Sequence, residues 1–272
     1  MKKRIFSAIA AILLIASAVS MAACGGDTYS QLANKGYTLK VSYDVSGADV
    51  GGKQITNIVE IYSPDNAVEV DGKKGFYLLP LDDDRRGSDV LYELEKYDED
   101  ATQFFLVGWY KQRDNRVDED GNALDYYGRP TSETKREQGY TFSGLWNFDK
   151  DLLSVDDFDE NGDFNLYAAW APRFTYEFYT ENSEGELQLI KKLESKLVLN
   201  YPVYRESRGS YDMKDYPTID GKTFEGAYFD EAMTSPITGN IDGRDILVDY
   251  EKGIVTSNVI RIYVTYSETA SE

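Results

Sequence analysis

Phe104-Phe105-Leu106-Val107-Gly108-Trp109-Tyr110, Trp146-Asn147-Phe148-Asp149 and Leu166-Tyr167-Ala168-Ala169-Trp170 are the segments that decide the fold. They contain all three tryptophans of the 272-residue chain. An aromatic side chain on a strand covers roughly 150–250 Å² of core, so these runs predict the nucleus of a first β-rich module. A weaker copy follows in Thr223-Phe224-Glu225-Gly226-Ala227-Tyr228-Phe229-Asp230 and Ile260-Arg261-Ile262-Tyr263-Val264-Thr265-Tyr266. With 22 tyrosines and 12 phenylalanines in a chain that is 42% hydrophobic, the composition favours strand over helix. The expected fold class is mainly β, with α+β as the alternative.

The flanking sequence repeats in the same order. Tyr37, Leu39, Val41, Tyr43 and Val45 alternate with Thr38, Lys40, Ser42 and Asp44, the period of a half-buried strand. A glycine-rich turn leads to a second strand over 55–62, which Ser63-Pro64-Asp65-Asn66 ends with turn chemistry. Phe76-Tyr77-Leu78-Leu79-Pro80 is a third apolar run, closed by Asp82-Asp83-Asp84, and 90–97 fits strand or helix. Later, Phe174, Tyr176 and Phe178 alternate with Thr175, Glu177 and Tyr179, and Leu197-Val198-Leu199-Asn200-Tyr201-Pro202 echoes the run into Pro80. Two internal copies sharing ordered landmarks are expected. The first spans 37–172 with a long polar loop over 111–138, and the second, divergent one spans 173–272.

Lys2, Lys3 and Arg4 precede an apolar core over 5–19, too short to span a bilayer. Met21-Ala22-Ala23-Cys24-Gly25-Gly26 then resembles the lipobox of bacterial lipoproteins, with Met21 where leucine is usual. That resemblance implies a signal peptide over 1–23, cleavage before Cys24 and a thioether-linked diacylglycerol on Cys24. Acyl chains at about 0.8 kcal/mol per buried CH₂ would anchor the protein stably. Residues 24–36 read as a flexible tether. The expected location is outside the cell, held at the bacterial membrane and facing outward.

Gly139-Tyr140-Thr141-Phe142-Ser143-Gly144-Leu145-Trp146, followed by Leu166-Tyr167-Ala168-Ala169-Trp170, resembles the Listeria–Bacteroides repeat, the internalin B-type repeat. Leu145 sets Trp146 one residue further from the glycine than the family pattern has it. Phe105-Leu106-Val107-Gly108-Trp109-Tyr110 keeps Gly-Trp-Tyr intact, but its phenylalanine lies one residue too far from the glycine. The lead-in and the spacing to Trp170 favour Gly144. In the second copy Phe224, Gly226 and Tyr228 parallel the segment from Thr141 to Trp146, and Tyr263 and Tyr266 take the closing positions. The resemblance implies two small β-grasp-like modules of a bacterial surface protein. The expected role is adhesion or ligand binding without catalysis, with a surface protein or a glycan as partner. A structural stalk is the alternative, and a carbohydrate-active enzyme the third reading.

The formal charge is −19, and removing the three positive charges of residues 1–23 makes it −22. Such a field repels nucleic acid, so no nucleic-acid partner is expected. The chain has no histidine, which removes Ser-His-Asp and Cys-His catalysis and the commonest metal ligand. Cys24 is its one cysteine, so no internal disulfide or thiolate zinc site can form. Gly47-Ala48-Asp49-Val50-Gly51-Gly52-Lys53 fits G-x-x-x-x-G-K, but Gln54 follows and the next residues read as strand, so a glycine turn is preferred. Ser132-Glu133-Thr134-Lys135 fits S-x-x-K without an apolar face to bury, so a solvated loop is preferred.

Asp157, Asp159, Asn161 and Asp163 surround Gly162 like the first part of an EF-hand loop, though the twelfth position is Ala168. The same residues suit a two-residue Asn161-Gly162 hairpin turn. A weak calcium site and a plain turn are both compatible, the turn being preferred, and no cofactor is otherwise implied. Among 48 acids no pair stands out by an apolar flank that would raise one pKa. The tyrosines could stack on sugars at an exposed sheet face, but packing explains most of them.

Overall fold

The computed structural model describes residues 39–50, 52–83, 92–97 and 102–269. The expected signal peptide and tether, Cys24, Tyr37, Gly51, Asp84 and 90–91 lie outside the described residues. Among the described residues the protein is mainly β, with 54% strand and 7% helix. Its principal strands are β1 (Leu39–Val50), β2 (Lys53–Tyr62), β3 (Phe104–Asn115), β4 (Tyr140–Leu145) and β5 (Asp163–Pro172). The series continues with β6 (Phe174–Glu181), β7 (Leu187–Lys196), β8 (Lys222–Tyr228) and β9 (Val259–Glu268). Two short helices occur among the described residues, α1 (Thr131–Thr134) and α2 (Gly243–Leu247).

A six-stranded sheet runs β2-β1-β5-β3-β4, with Leu94–Glu95 added to β1, and a four-stranded sheet runs β7-β6-β9-β8; smaller sheets of two or three short strands accompany them. The described chain packs into two compact units. One takes residues up to 96 with 108–113 and 143–168, and the other takes 97–107, 114–142 and 169 onward.

In the first unit, β1 alternates buried Leu39, Val41, Tyr43 and Val45 with half-buried polar residues, because a pleated strand sends successive side chains to opposite faces. Tyr43 meets Trp109 edge to face at 5.4 Å, and Trp146 packs on Phe164 at 5.8 Å. Trp109 is 5% exposed and Trp146 4%. Ser46 and Gly47 take left-handed φ of 50° and 75° where the β1–β2 register slips between Asp44 and Ala48. The Asp44 carboxylate accepts the Ser46 N–H at 2.8 Å. The glycine run is therefore a β-bulge and hairpin, with Val50 still paired to Lys53.

In the second unit, Phe174, Tyr176 and Phe178 are fully buried with Leu199, Ile262 and Val264 in one apolar core. Trp170 is 4% exposed. Burying an aromatic or aliphatic side chain of this size stabilises by about 1.5–3 kcal/mol.

The two sheets share one register pattern. β1 runs parallel to β5 from Lys40↔Asp163 to Asp44↔Tyr167, and β6 runs parallel to β9 from Thr175↔Val259 to Tyr179↔Tyr263. Tyr43 thus corresponds to Phe178, Leu166 to Ile262 and Tyr167 to Tyr263. Each pair is flanked by an antiparallel hairpin partner, β2 or β7.

The correspondence of the glycine segments differs from the expected one. The strand beside β5 is β3, as β8 is beside β9; β4 lies one strand further out. Gly226 therefore parallels Gly108, not Gly144. The two glycines share one neighbour, a tyrosine two residues on that covers each. A Cβ on Gly108 would meet Tyr110 Cε2 at 3.4 Å, and one on Gly226 would meet the Tyr228 hydroxyl at 3.1 Å.

Residues 111–138 are more ordered than a polar loop. β3 continues to Asn115, and the bridges Val117↔Ala123 and Leu124↔Pro130 organise the rest. One five-residue turn recurs at Asp118, Asp125, Asp159 and Asn182. In each, the side-chain oxygen accepts the N–H groups two and four residues on. The glycine at the fourth place (Gly121, Gly128, Gly162, Gly185) has φ between 77° and 81°. Its N–H bonds back to the first residue's carbonyl. Only the glycine takes the left-handed conformation, which costs it nothing sterically.

Candidate functional site

The sequence-predicted candidates separate clearly in the structure. Asn161-Gly162 is not a two-residue turn: Gly162 N–H bonds to Asp159 O, so Glu160 and Asn161 are the central residues and Gly162 follows them. Asp159 spends its carboxylate on Asn161 and Asp163 N–H groups, which lowers its pKa through those backbone hydrogen bonds. Asp157 accepts Ser154 N–H at 2.8 Å, completing a capping box, and Asp163 pairs with Lys40 at 3.0 Å. Among the described residues no group of three or more acids could hold a metal ion. Ser132 and Lys135 are both exposed on and just after the single turn of α1.

The repeat-type residues are structural. Phe105, Trp109, Tyr110, Phe142, Trp146, Leu166, Trp170 and Phe224 are buried. Phe148 packs on Trp146 at 6.5 Å, and the Tyr266 hydroxyl donates to Pro217 O at 2.8 Å. Tyr167, Tyr228 and Tyr263 are half-buried and Gly144 is exposed.

Tyr263 belongs to an open groove of about 600 Å³ in the second unit, lined mainly by Phe229, Ile246, Leu247, Val259 and Arg261 beside it. Phe229 and Ile246 are 43% and 45% exposed. Behind Tyr263 stands Tyr179, ring on ring at 5.8 Å and 29°. The Tyr179 hydroxyl donates to Glu177, which also takes Lys192 at 2.7 Å and Arg261 at 3.8 Å. The Lys192 hydrogen bond holds the Glu177 carboxyl below its ordinary range against the opposing effect of burial. This cluster fixes Arg261 and Tyr263 at the groove wall.

Ser257 also lines a second cavity of about 310 Å³, with Tyr127, Arg129, Arg136, Thr256 and Asn258. Both guanidiniums lie over the Tyr127 ring, Arg129 at 4.7 Å and Arg136 at 4.9 Å.

Buried Arg116 builds this pocket. Its Nη1 donates to Tyr126 O at 2.9 Å and its Nη2 to Val255 O at 3.3 Å, one residue before Tyr127 and Thr256. Burial pulls the Arg116 pKa below its usual value, and Asp125 pulls it back up. Fully buried Asp125 accepts the Tyr127 and Arg129 N–H groups, each at 2.9 Å, and meets Arg129 Nη2 at 3.4 Å. Gln138 ties the insertion shut by donating to the carbonyls of Arg116, Leu124 and Gly139. On the other wall, Thr256 N–H bonds to Leu247 O, and Asn258 O accepts Thr175 N–H at 2.7 Å.

A third polar cluster is internal. Asp215 pairs with Lys196 and accepts Asn200 N–H and Nδ2, each at 2.9 Å. Burial pushes its carboxyl up, but those hydrogen bonds outweigh it and leave the pKa low. It anchors the excursion over 200–217 to β7.

Sequence reasoning missed the arginine pocket. Arg129, Arg136 and Tyr127 sit in a polar stretch that reads as solvated loop; the only local signal was Asp125 three residues before Gly128. Compared with known proteins, the chain matches no protein-family model and no curated relative.

Proposed function

We propose that this chain is a non-enzymatic, exported lipoprotein, anchored through Cys24, that binds a ligand at the cell surface. The groove of the second unit carries the reading. Its outward-facing Phe229, Ile246 and Tyr263, continuous at Ser257 with a polar pocket, are the mix of apolar body and few polar groups that ligand sites use. The electrostatics favour binding over turnover. Among the described residues, every carboxylate with a displaced pKa (Asp118, Asp159, Glu177, Asp215, Asp230, Asp242, Asp249) is displaced downward. Acid catalysis by paired carboxylates needs one displaced upward. The strands of the first copy lie in the order 2-1-5-3-4 and those of the second in the order 2-1-4-3, the opening strand parallel to the closing one in each, which supports the β-grasp-like resemblance to internalin B-type repeats. A spacer is the second reading, favoured by the copied register.

The test is a glycan array probed with the chain from residue 24 onward, carrying Cys24→Ala for solubility. Binding should occur and should be lost in the double variant Phe229→Ala/Ile246→Ala with its circular dichroism unchanged. Absence of any ligand would favour the spacer. Anchoring is tested in cells: a palmitate analogue should label the wild type and not Cys24→Ala, and persistent labelling would remove the anchor from the reading.

A further inference from the structure

We infer that the groove beside Tyr263 is the slot of a missing strand. It receives an extended segment of another protein, apolar at alternate positions and basic rather than acidic, paired to the open edge of β9. This rests on the binding role proposed above and names a polypeptide as the occupant; the glycan array tests the same groove for the other class.

The first copy shows what is missing. With Gly108 matched to Gly226, Trp109 matches Ala227 and Tyr110 matches Tyr228. Trp109 O accepts Trp146 N–H at 2.7 Å, and Ala227 O accepts Ile237 N–H at 2.7 Å, so the next segment joins at the same place in both copies. Beyond that point they differ. β3 runs five residues past Tyr110, to Asn115, whereas β8 ends at Tyr228. Asp230 turns the chain away: its carboxylate accepts the Thr234 and Ser235 N–H groups and its carbonyl accepts that of Met233. Pairing of β9 with β8 therefore stops at Tyr263, and among the described residues 259–262 has β6 on one side and no strand on the other. The groove of about 600 Å³ lies along this part of β9, between Arg261 and the apolar side chains of Phe229 and Ile246.

The backbone there is set to take a strand. Thr175 N–H bonds to Asn258 O, as Lys40 N–H bonds to Gly162 O in the first copy. In this parallel ladder 258, 260 and 262 turn their polar groups to β6, so Val259 and Arg261 turn theirs to the open side. Val259 is covered by a neighbour, since Ser257 Oγ accepts its N–H at 3.1 Å and donates to its carbonyl at 3.4 Å. Arg261 lacks that cover: among the described residues its N–H and C=O meet no partner on this side. Added strands use such an edge, the ladder holding the main chain and pockets taking alternate side chains. A saccharide does not return an N–H and a C=O at strand spacing, so the edge selects another main chain.

Charge sets the rest. Asp230 and Glu231 follow Phe229, Asp245 precedes Ile246, and the chain carries −19. The Arg261 guanidinium at the wall already has Glu177 at 3.8 Å. That field draws in a basic segment and repels an acidic one.

The experiment titrates the chain from residue 24 onward, carrying Cys24→Ala, with acetyl-Lys-Val-Thr-Val-Thr-Val-Lys-amide. It reads the dissociation constant and hydrogen exchange at the Arg261 amide. The peptide should bind and slow that exchange about tenfold or more, and glutamates in place of its lysines should weaken binding. Ser257→Ala should tighten binding about two- to tenfold, the range of one neutral hydrogen bond, because it uncovers Val259. Arg261→Pro should abolish binding while Arg261→Ala keeps it, since proline removes the outward N–H and leaves the β6 ladder in place. If Arg261→Pro lowers the urea midpoint, Ser257→Ala and the exchange rate decide. An Arg261 amide already slow in the free chain, or slowed as copies associate, would overturn the inference, the slot being filled by the chain itself or by a second copy. An acidic peptide binding as tightly would overturn the charge assignment. No peptide binding, with glycan binding lost in Phe229→Ala/Ile246→Ala, would overturn the inference and leave the groove reading standing. Silence of both peptide and glycans would overturn both.

Discussion

Arg116→Met should be among the most damaging substitutions in the protein. The guanidinium is buried, donates to Tyr126 O and Val255 O, and sits beside the buried carboxylate of Asp125. Methionine keeps the aliphatic stem but leaves two carbonyls without these donors, and it removes a nearby positive charge from a buried acid that keeps its two backbone N–H donors and the 3.4 Å contact to Arg129. Hydrogen bonds from a charged donor contribute about 1.5–3 kcal/mol each, and Arg116 makes one to each of two carbonyls. A loss of about 4 kcal/mol is a large part of the 5–15 kcal/mol that holds a typical domain. In urea that lowers the midpoint of the affected transition by roughly 2 M, taking a slope of about 2 kcal/mol/M. The assay is far-UV circular dichroism against urea at pH 7 for wild type, Arg116→Met, Asp125→Asn and the double variant. The double variant should lose at least about 1 kcal/mol less than the two single losses summed, because the two side chains share one network. A single-variant loss under about 1 kcal/mol, or strict additivity, would refute the claim that Arg116 pins the walls together.

Acidification should expose Asp215. Its folded pKa is depressed, so its contribution is present above the unfolded carboxylate value and is lost as pH falls through the lower folded value. The melting-temperature gap between wild type and Asp215→Asn should be full at pH 7 and close below about pH 4; a gap constant down to pH 2 contradicts this. Gly139→Ala should cost about 1–3 kcal/mol by overpacking, since its Cβ would lie 2.6 Å from Asp125 O. Gly121→Ala, with open space around it and only φ +81° to suffer, should lose about 1–2 kcal/mol, and an equal or larger loss than at Gly139 would reverse the argument. Millimolar calcium should leave the melting temperature unchanged, because Asp157, Asp159 and Asp163 each serve a different partner; a rise abolished by Asp159→Asn would show a site there.

Local sequence was enough for several features. The alternation from Leu39 to Val45 and from Phe174 to Phe178 became the central strands, since burial on one pleated face leaves a period of two. The recurring turns were written as Asp or Asn three residues before glycine, because a short side-chain acceptor and a left-handed residue are both local requirements. The Asn161-Gly162 pair misled in detail. The carboxylate of Asp159 selected the longer turn, and a dipeptide rule does not include it.

What the chain determined by itself is its β character, its buried indole rings and its order of repeated strands, all of which follow from side-chain chemistry within a few residues. Which glycine strand lies beside the closing strand was decided only in three dimensions, because a ladder of backbone hydrogen bonds carries little record of its partner in either sequence. The same holds for the pocket. Arg116 and Val255 are 139 residues apart, and only folding sets a buried guanidinium between them so that Tyr127, Arg129 and Arg136 face the hydroxyls at 256 and 257. Charges that look solvated along the chain acquire a role once desolvation and a shared carbonyl bring them together.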